Sequence, residues 1–152
     1  MRLTLQADYG LRVLLYLSVH RDAVVPIGEI AGAYGVSAHH LTKVGQLLAQ
    51  CGYIEQVRGA HGGVRLARAP DTIKLGALVR DLEPSLALVE CFAPDTNTCV
   101  VAPVCELKRI LEAAQQAFFA ALDGHTLADA LKRPRALARL LPREALSAAR
   151  RR

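Results

Sequence analysis

The sequence predicts a mainly α-helical protein with a small β-hairpin wing, in which a winged helix-turn-helix precedes a long dimerisation helix. Two short helical patterns, at 26–34 and 37–50, are separated by a glycine turn and predict the helix-turn-helix. An alternating pattern at 53–67, with a Gly-rich turn at its centre, predicts the hairpin. Apolar residues then recur every three or four positions from 104 to 121, which is the spacing of a coiled-coil seam.

The length and composition favour one compact cytoplasmic domain. The chain has 152 residues and lacks a run of about eighteen apolar residues, so we expect no membrane span. Arg12 interrupts the apolar stretch near the N-terminus, which argues against a signal peptide. In a reducing cytoplasm, clustered cysteines bind metal or do redox chemistry more often than they form structural disulfides.

Positive charge is concentrated at the C-terminal end. Residues 124–152 contain eight Lys or Arg and two acids, which gives this segment a charge of +6. The preceding 123 residues carry eleven basic and twelve acidic side chains, a net charge of −1. The overall charge of +5 is therefore weak support for DNA binding, and any basic face in the body has to be local.

Residues 3–20 have the pattern of an amphipathic helix, with Leu11, Leu14 and Leu15 on its apolar stripe. Asp8 falls in phase with that stripe, where a carboxylate is costly unless it meets a cation, hydrogen-bond donors or a metal. Arg12 lies four residues later and is the simplest partner. The residues alone therefore favour an Asp8–Arg12 pair over a ligand role.

The second helix of the helix-turn-helix has two distinct faces. Ser37 is placed to cap it, and Leu41, Val44 and Leu48 mark its core side on a helical wheel. Its outward side has hydrogen-bonding groups and no acid, as a groove-reading face needs, although an ordinary solvated face is the alternative. Cys51 follows beside the apolar stripe, and we expect it to pack in the core.

The predicted wing adds local positive charge. Between residues 37 and 70 there are four Lys or Arg and one acid, a net charge of +3. Arg58, at the hairpin tip, is placed to enter a minor groove, and a plain solvated hairpin is the alternative. The residues predicted to contact DNA from the helix and the wing are His39, His40, Thr42, Lys43, Gln46, Arg58, His61, Gly62, Gly63 and Arg65.

Three of the four cysteines lie in one loop. Cys91, Cys99 and Cys105 are spaced C-x7-C-x5-C, and two prolines in the loop prevent a continuous helix or strand. No histidine occurs between His61 and His125, so a local zinc site with two cysteines and two histidines is excluded. The spacing leaves an iron-sulfur cluster, a three-cysteine zinc site and a thiol redox switch open.

The long helix after the cysteine loop is predicted to pair with a second copy of the chain. It would reach roughly 30 Å, and a chain of this size has little with which to cover it, so we expect a two-fold homodimer. The sequence thus divides into a DNA-binding domain at 1–83, a cysteine loop at 84–105, a dimerisation segment at 106–131 and a basic tail at 132–152. We expect the tail to be mobile, above all in its last three arginines.

Four short motifs resemble those of a known family. They are the opening MRLT with DYGLR at 8–12, the YGVS turn at 34–37, the glycines of the wing at 57–63, and CELK at 105–108. With Phe118 and the segment LAD at 127–129, they resemble the NsrR family of nitric-oxide-sensing iron-sulfur winged-helix repressors, in the same superfamily as IscR. The resemblance covers roughly residues 1 to 131.

The resemblance implies a specific cofactor and ligand set. It implies a [4Fe-4S] cluster held by Cys91, Cys99 and Cys105, with Asp8 of the partner subunit as the fourth ligand. Arg12 would then lie beside the cluster. The homodimer would bind a double-stranded DNA operator as a repressor and release it when nitric oxide nitrosylates or dismantles the cluster.

The sequence is also compatible with other functions. IscR-like relatives complete the site with a histidine three residues after the last cysteine, and Lys108 occupies that position, which favours the NsrR-like arrangement. The same scaffold could instead report iron supply, cluster supply or redox state, or act as a zinc-containing protein-interaction module. No arrangement typical of an enzyme active site is present, so we expect no enzyme.

Overall fold

The computed structural model describes residues 2–143, and the final three arginines lie outside this range. The predicted fold class, mainly helical with a two-stranded hairpin wing, is confirmed. In chain order the elements are α1 (Leu5–Val19), α2 (Ile27–Tyr34), α3 (Ala38–Gln50), β1 (Ile54–Val57), β2 (Gly63–Leu66), α4 (Leu75–Leu82), α5 (Glu106–Asp123) and α6 (Pro134–Leu140).

The helix-turn-helix is formed by α2 and α3, as predicted. Gly35 ends α2 in the left-handed conformation, with φ of 63°, which favours glycine. Ser37 occupies the N-cap position of α3, but its side chain makes no capping hydrogen bond. Leu41 and Leu48 are buried against the core formed with α1. The turn and this apolar stripe together fix the orientation of α3.

The wing is joined to the segment that precedes α2. Residues Ile54 to Val57 pair antiparallel with Gly63 to Leu66. Val64 adds a further bridge, because it donates to the carbonyl of Val25 at 2.8 Å and accepts from its amide at 2.9 Å. A Cβ atom on Gly63 would lie 2.4 Å from the Val25 carbonyl oxygen. The wing therefore needs glycine at position 63 to approach this backbone.

The start of the wing is tied to α4 through a buried tyrosine. Tyr53 is 3% exposed, and its hydroxyl donates to Asp81 at 2.6 Å. Burial and this hydrogen bond raise the pKa of Tyr53. The Arg68 guanidinium stacks 5.0 Å from the same ring and donates to the carbonyl of Cys51. Cys51 is half-buried against the core, in keeping with a packing role, and burial raises the pKa of its thiol.

The long helix α5 leaves much of its apolar surface uncovered. Phe119 is the only buried residue of α5, and the apolar side chains of Leu107 and Ile110 are more than 60% exposed. Arg80 of α4 holds the C-terminal end of α5 through two 2.8 Å hydrogen bonds to Asp123. An exposed apolar face is what a helix that pairs with a second copy would present, and the dimer stays a prediction.

The described part of the basic tail contacts the body through the residues that follow α6, whereas Lys132 to Leu140 are mostly exposed, and the mobility of the tail stays a prediction. Leu141, just after α6, is 7% exposed and belongs to the main core. Arg143 pairs at 3.0 Å with Glu29, whose side chain is 2% exposed. The Tyr16 hydroxyl donates to the same carboxylate oxygen at 3.0 Å. Burial and this hydrogen bond raise the pKa of Tyr16 to about 12, which keeps its hydroxyl protonated at neutral pH.

We expect Arg143→Ala to lower the free energy of unfolding by about 1–3 kcal/mol, because it removes the cation from a buried carboxylate. Urea denaturation at pH 7 measures the change. Arg139→Ala is the matched control, since Arg139 is exposed on α6, and its effect should stay within about 0.5 kcal/mol. Equal effects of the two substitutions would show that the Glu29 contact does not anchor the tail.

Among residues 2–143, none of the helices has both the length and the apolar character that crossing a membrane requires.

Candidate nucleic-acid interface and metal centre

The outward face of α3 is exposed where the sequence predicts contact with DNA. Every residue of this helix that was predicted to contact DNA lies at the surface. Thr42 donates its hydroxyl proton to the Ala38 carbonyl at 2.8 Å, so its oxygen remains available as an acceptor. The exposed residues are His39, His40, Thr42, Lys43 and Gln46.

The first turns of α1 adjoin this face, which sequence reasoning missed. Leu5, Gln6 and Tyr9 line a groove of about 260 Å³ together with His40 and Lys43 of α3. Periodicity within one helix cannot reveal which neighbouring helix lies beside its exposed face. The groove places the N-terminal end of α1, close to Asp8 in the chain, against the reading helix.

The cations of the wing have different surroundings. Arg65 and Glu55 are directly opposite each other in the hairpin, and they form an ion pair at 2.7 Å. Arg58 is exposed at the tip, as is His61, and Arg58 takes part in none of the ion pairs among residues 2–143. Arg58 is therefore better placed than Arg65 to meet a phosphate or a narrow minor groove.

The two predicted glycine contacts have structural reasons of their own. A Cβ on Gly62 would lie 2.6 Å from the Val57 carbonyl oxygen, and Gly63 approaches Val25 as closely. Both glycines are half-buried. The need for glycine at 62 and 63 is explained by the tight turn and the backbone bridge, and the predicted DNA contact at these positions stays a prediction.

The cysteine loop is organised by a polar clasp that precedes two of its thiols. Glu90 accepts hydrogen bonds from the Thr98 hydroxyl at 2.6 Å and from the Thr98 amide. These hydrogen bonds lower the pKa of Glu90. Since Glu90 directly precedes Cys91 and Thr98 directly precedes Cys99, the clasp draws the two thiol-bearing segments together. The sequence signal was an acceptor and a donor, each one position before a cysteine.

The third thiol lies at the start of α5. Cys105 is the N-cap residue, and its sulfur accepts from the Lys108 amide at 3.4 Å. All four cysteines of the chain are free, and the three in the loop are half-buried. An amide donor aimed at sulfur suits a thiolate, which is the form that binds metal. The donor set therefore fits an iron-sulfur cluster chemically.

The loop borders an open cleft of about 470 Å³, which is lined by Cys91 and Phe92 on one side and by α5 on the other. Lys108 also lines it and pairs with Glu112 at 3.7 Å. Within residues 2–143, no three His, Cys, Asp or Glu side chains are grouped closely enough to hold a metal ion. The single chain thus supplies the thiols without gathering them into a complete site.

Asp8 is held by the partner that the helical spacing predicts. Arg12 donates to it twice, at 3.0 Å from Nε and 2.8 Å from Nη2. This hydrogen bonding raises the pKa of Arg12. Both side chains are about 40% exposed, so Asp8 lies at the solvent-accessible edge of the apolar stripe and is not buried in the core. Arg12 also stacks 5.7 Å from the Tyr34 ring, at the end of α2.

Comparisons with known proteins agree with this architecture. The family model Rrf2, described as "Iron-dependent Transcriptional regulator", matches residues 3–133. The chain is 46% identical to the HTH-type transcriptional regulator NsrR of Geobacillus kaustophilus, over 93% of this chain and 97% of that protein. It is 43% identical to the NsrR of Bacillus subtilis, with the same shares covered. The solved structure of T. potens IscR is 30% identical over 87% of each chain, with a TM-score of 0.70. The resemblance to NsrR is thereby confirmed.

Proposed function

Because the chain belongs to the Rrf2 family of transcriptional regulators, we propose that it is a cytoplasmic repressor that senses nitric oxide through a [4Fe-4S] cluster. The family makes it a DNA-binding regulator and not an enzyme. The observation that carries the finer proposal is the loop of three free, half-buried thiols, joined to an exposed reading helix. It occurs in a chain 46% identical to a protein named NsrR.

The proposed DNA-bound form is a homodimer. The exposed apolar face of α5 supports this, since Leu107 and Ile110 would be covered by the α5 helix of a second copy. Two-fold symmetry would place the two α3 helices in successive major grooves, about 34–36 Å apart. The operator would therefore have two half-sites related by the same symmetry.

The proposed cluster ligands are Cys91, Cys99 and Cys105, with Asp8 of the partner subunit. A bound [4Fe-4S] cluster supplies iron at which nitric oxide reacts. The three thiols have the softness that iron-sulfur clusters require, and a carboxylate leaves one iron with a ligand other than cysteine. Because that ligand comes from the partner subunit, the proposed site spans the dimer interface. Loss of the cluster would therefore change the relative orientation of the two DNA-binding domains.

Arg12 is proposed to form an ion pair with Asp8 when Asp8 no longer binds the cluster. In the single chain both carboxylate oxygens of Asp8 accept from Arg12, and each oxygen keeps a second lone pair with which it could bind iron. Arg12 also contacts Tyr34 of α2, the first helix of the helix-turn-helix. Arg12 therefore contacts both Asp8 and the helix-turn-helix, so a change in the ligand of Asp8 can shift α2 through Arg12.

The test is to purify the protein anaerobically and measure operator affinity before and after nitric oxide. The proposal expects a visible iron-sulfur spectrum and a loss of affinity with added nitric oxide. A regulator of iron or cluster supply would respond to iron chelation and not to nitric oxide. A colourless protein with bound zinc and no DNA affinity would favour the interaction-module alternative.

We expect Lys43→Ala to weaken operator binding by roughly tenfold or more, because Lys43 is exposed on the reading face without an ion-pair partner among the described residues. Fluorescence anisotropy at a fixed salt concentration measures the change. Gln50→Ala is the control, since it lies on the same face but at the C-terminal end of α3, and recognition helices contact bases with their N-terminal residues. Equal losses from both variants would contradict this docking of α3.

A further inference from the structure

We infer that the basic segment at 132–143 is a second DNA-contacting element, which binds the phosphate backbone and reads no base. The inference rests on the proposed function as a DNA-binding regulator. Residues 134–143 lie beyond the region matched by the family model, which ends at residue 133. It gives a role to the basic tail, which the proposed switch does not use.

The segment is anchored to the DNA-binding head. Leu141 packs in the core that includes α1, and its carbonyl oxygen lies 2.9 Å from the His20 ring nitrogen Nε2. Arg143 then reaches the buried carboxylate of Glu29 on α2. These contacts join the end of the segment to both helices that support α3. Its charges therefore move with the reading head rather than trailing from the end of α5.

The anchored segment presents a cluster of exposed cations to solvent. Arg133, Arg135 and Arg139 are exposed and line one shallow cavity of about 530 Å³, with Lys132 exposed next to them. Among residues 2–143, no ion pair includes any of these four side chains. A cluster of exposed guanidinium groups matches the geometry and charge of phosphates.

The distribution of charge favours DNA as the occupant. Residues 124–152 carry +6 and the rest of the chain −1, so this end can add to the attraction that the local charge of +3 at 37–70 provides. On the wing, Glu55 compensates Arg65. In helix-turn-helix proteins the first of the two helices crosses the DNA backbone, and α2 is the helix that Arg143 contacts. The anchor thus lies on the element that passes closest to flanking phosphates.

The test measures binding of the full-length protein to a random-sequence DNA duplex over a range of salt concentrations. The variant carries Arg133→Ala, Arg135→Ala and Arg139→Ala together. We expect its affinity to fall by roughly tenfold or more at about 0.1 M salt. The slope of log K against log salt should become shallower by about 0.9 for each phosphate contact that is lost.

Two controls separate charge from folding and from position. The matching triple replacement by lysine keeps the charges and should keep the slope, whereas Arg109→Ala removes an exposed, Glu106-paired cation on α5 and should leave binding unchanged. An unaltered slope in the alanine variant, with normal binding by the wild type, would overturn this inference alone and point to an acidic protein surface as partner. Failure of the wild type to bind any duplex would overturn the proposed function as well.

Discussion

Cys99→Ser is expected to abolish iron-sulfur absorbance and to reduce operator affinity by about 10³-fold, toward the level of non-specific binding. Serine keeps the shape of the side chain but removes the soft thiolate that iron-sulfur clusters require. The hydrogen bond from the Cys99 amide to Asn97 does not involve the sulfur, so the loop should stay folded. Visible spectroscopy, iron content and operator titration on the same anaerobic sample measure the effect.

Cys51→Ser is the matched control for this variant. Cys51 is a half-buried thiol that packs against the core and lies outside the loop, so its replacement should spare both absorbance and operator affinity. Asp8→Ala extends the test to the proposed ligand from the partner subunit, and we expect a more labile cluster. A Cys99→Ser protein with wild-type absorbance and iron content would show that Cys99 is not a ligand of the cluster.

Gly63→Ala is expected to lower the free energy of unfolding by about 3–5 kcal/mol. The new Cβ would lie 2.4 Å from the carbonyl oxygen of Val25, and because this oxygen belongs to the backbone and the Cβ position is fixed by its own backbone, no flexible side chain can turn away to make room. The wing would have to separate from the segment before α2, with loss of the two hydrogen bonds between Val25 and Val64. Urea denaturation measures the change.

Gly32→Ala is the matched control, because the same substitution at this position is expected to raise the free energy of unfolding. Gly32 lies inside α2, and a Cβ there would meet nothing within 4 Å. Alanine should therefore stabilise the protein by about 0.5–1 kcal/mol through its higher helix propensity. If both variants had the same stability, the close approach of the wing to Val25 would be refuted as a constraint on position 63.

Local patterns allowed the fold and much of the reading face to be predicted. The turn at Gly35 and the spacing of Leu41, Val44 and Leu48 determine α2 and α3 from neighbouring residues alone. The Asp8–Arg12 pair is of the same kind, because residues four apart face each other on a helix. These features need no knowledge of distant parts of the chain.

Contacts between distant residues could not be predicted in this way. The Arg143–Glu29 pair joins positions 114 residues apart, and a weakly periodic tail gives no sign of its docking site. The bridge between Val25 and Val64 likewise depends on the packing of the whole head. For the cysteine loop, spacing identified the thiols, but the proposed site would also need a metal and a partner subunit, which the sequence of one chain does not describe.

The clasp between Glu90 and Thr98 affects how a cofactor would be loaded. It closes the segment from 90 to 98 by hydrogen bonds that need no metal, so this segment has already lost part of its conformational entropy in the apo protein. A preorganised loop loses less conformational entropy when it binds a cofactor. The same thiols would therefore bind that cofactor more tightly than they would on a disordered segment. If the loop holds the proposed cluster, the apo protein would therefore already have joined two of the three segments that carry its thiol ligands.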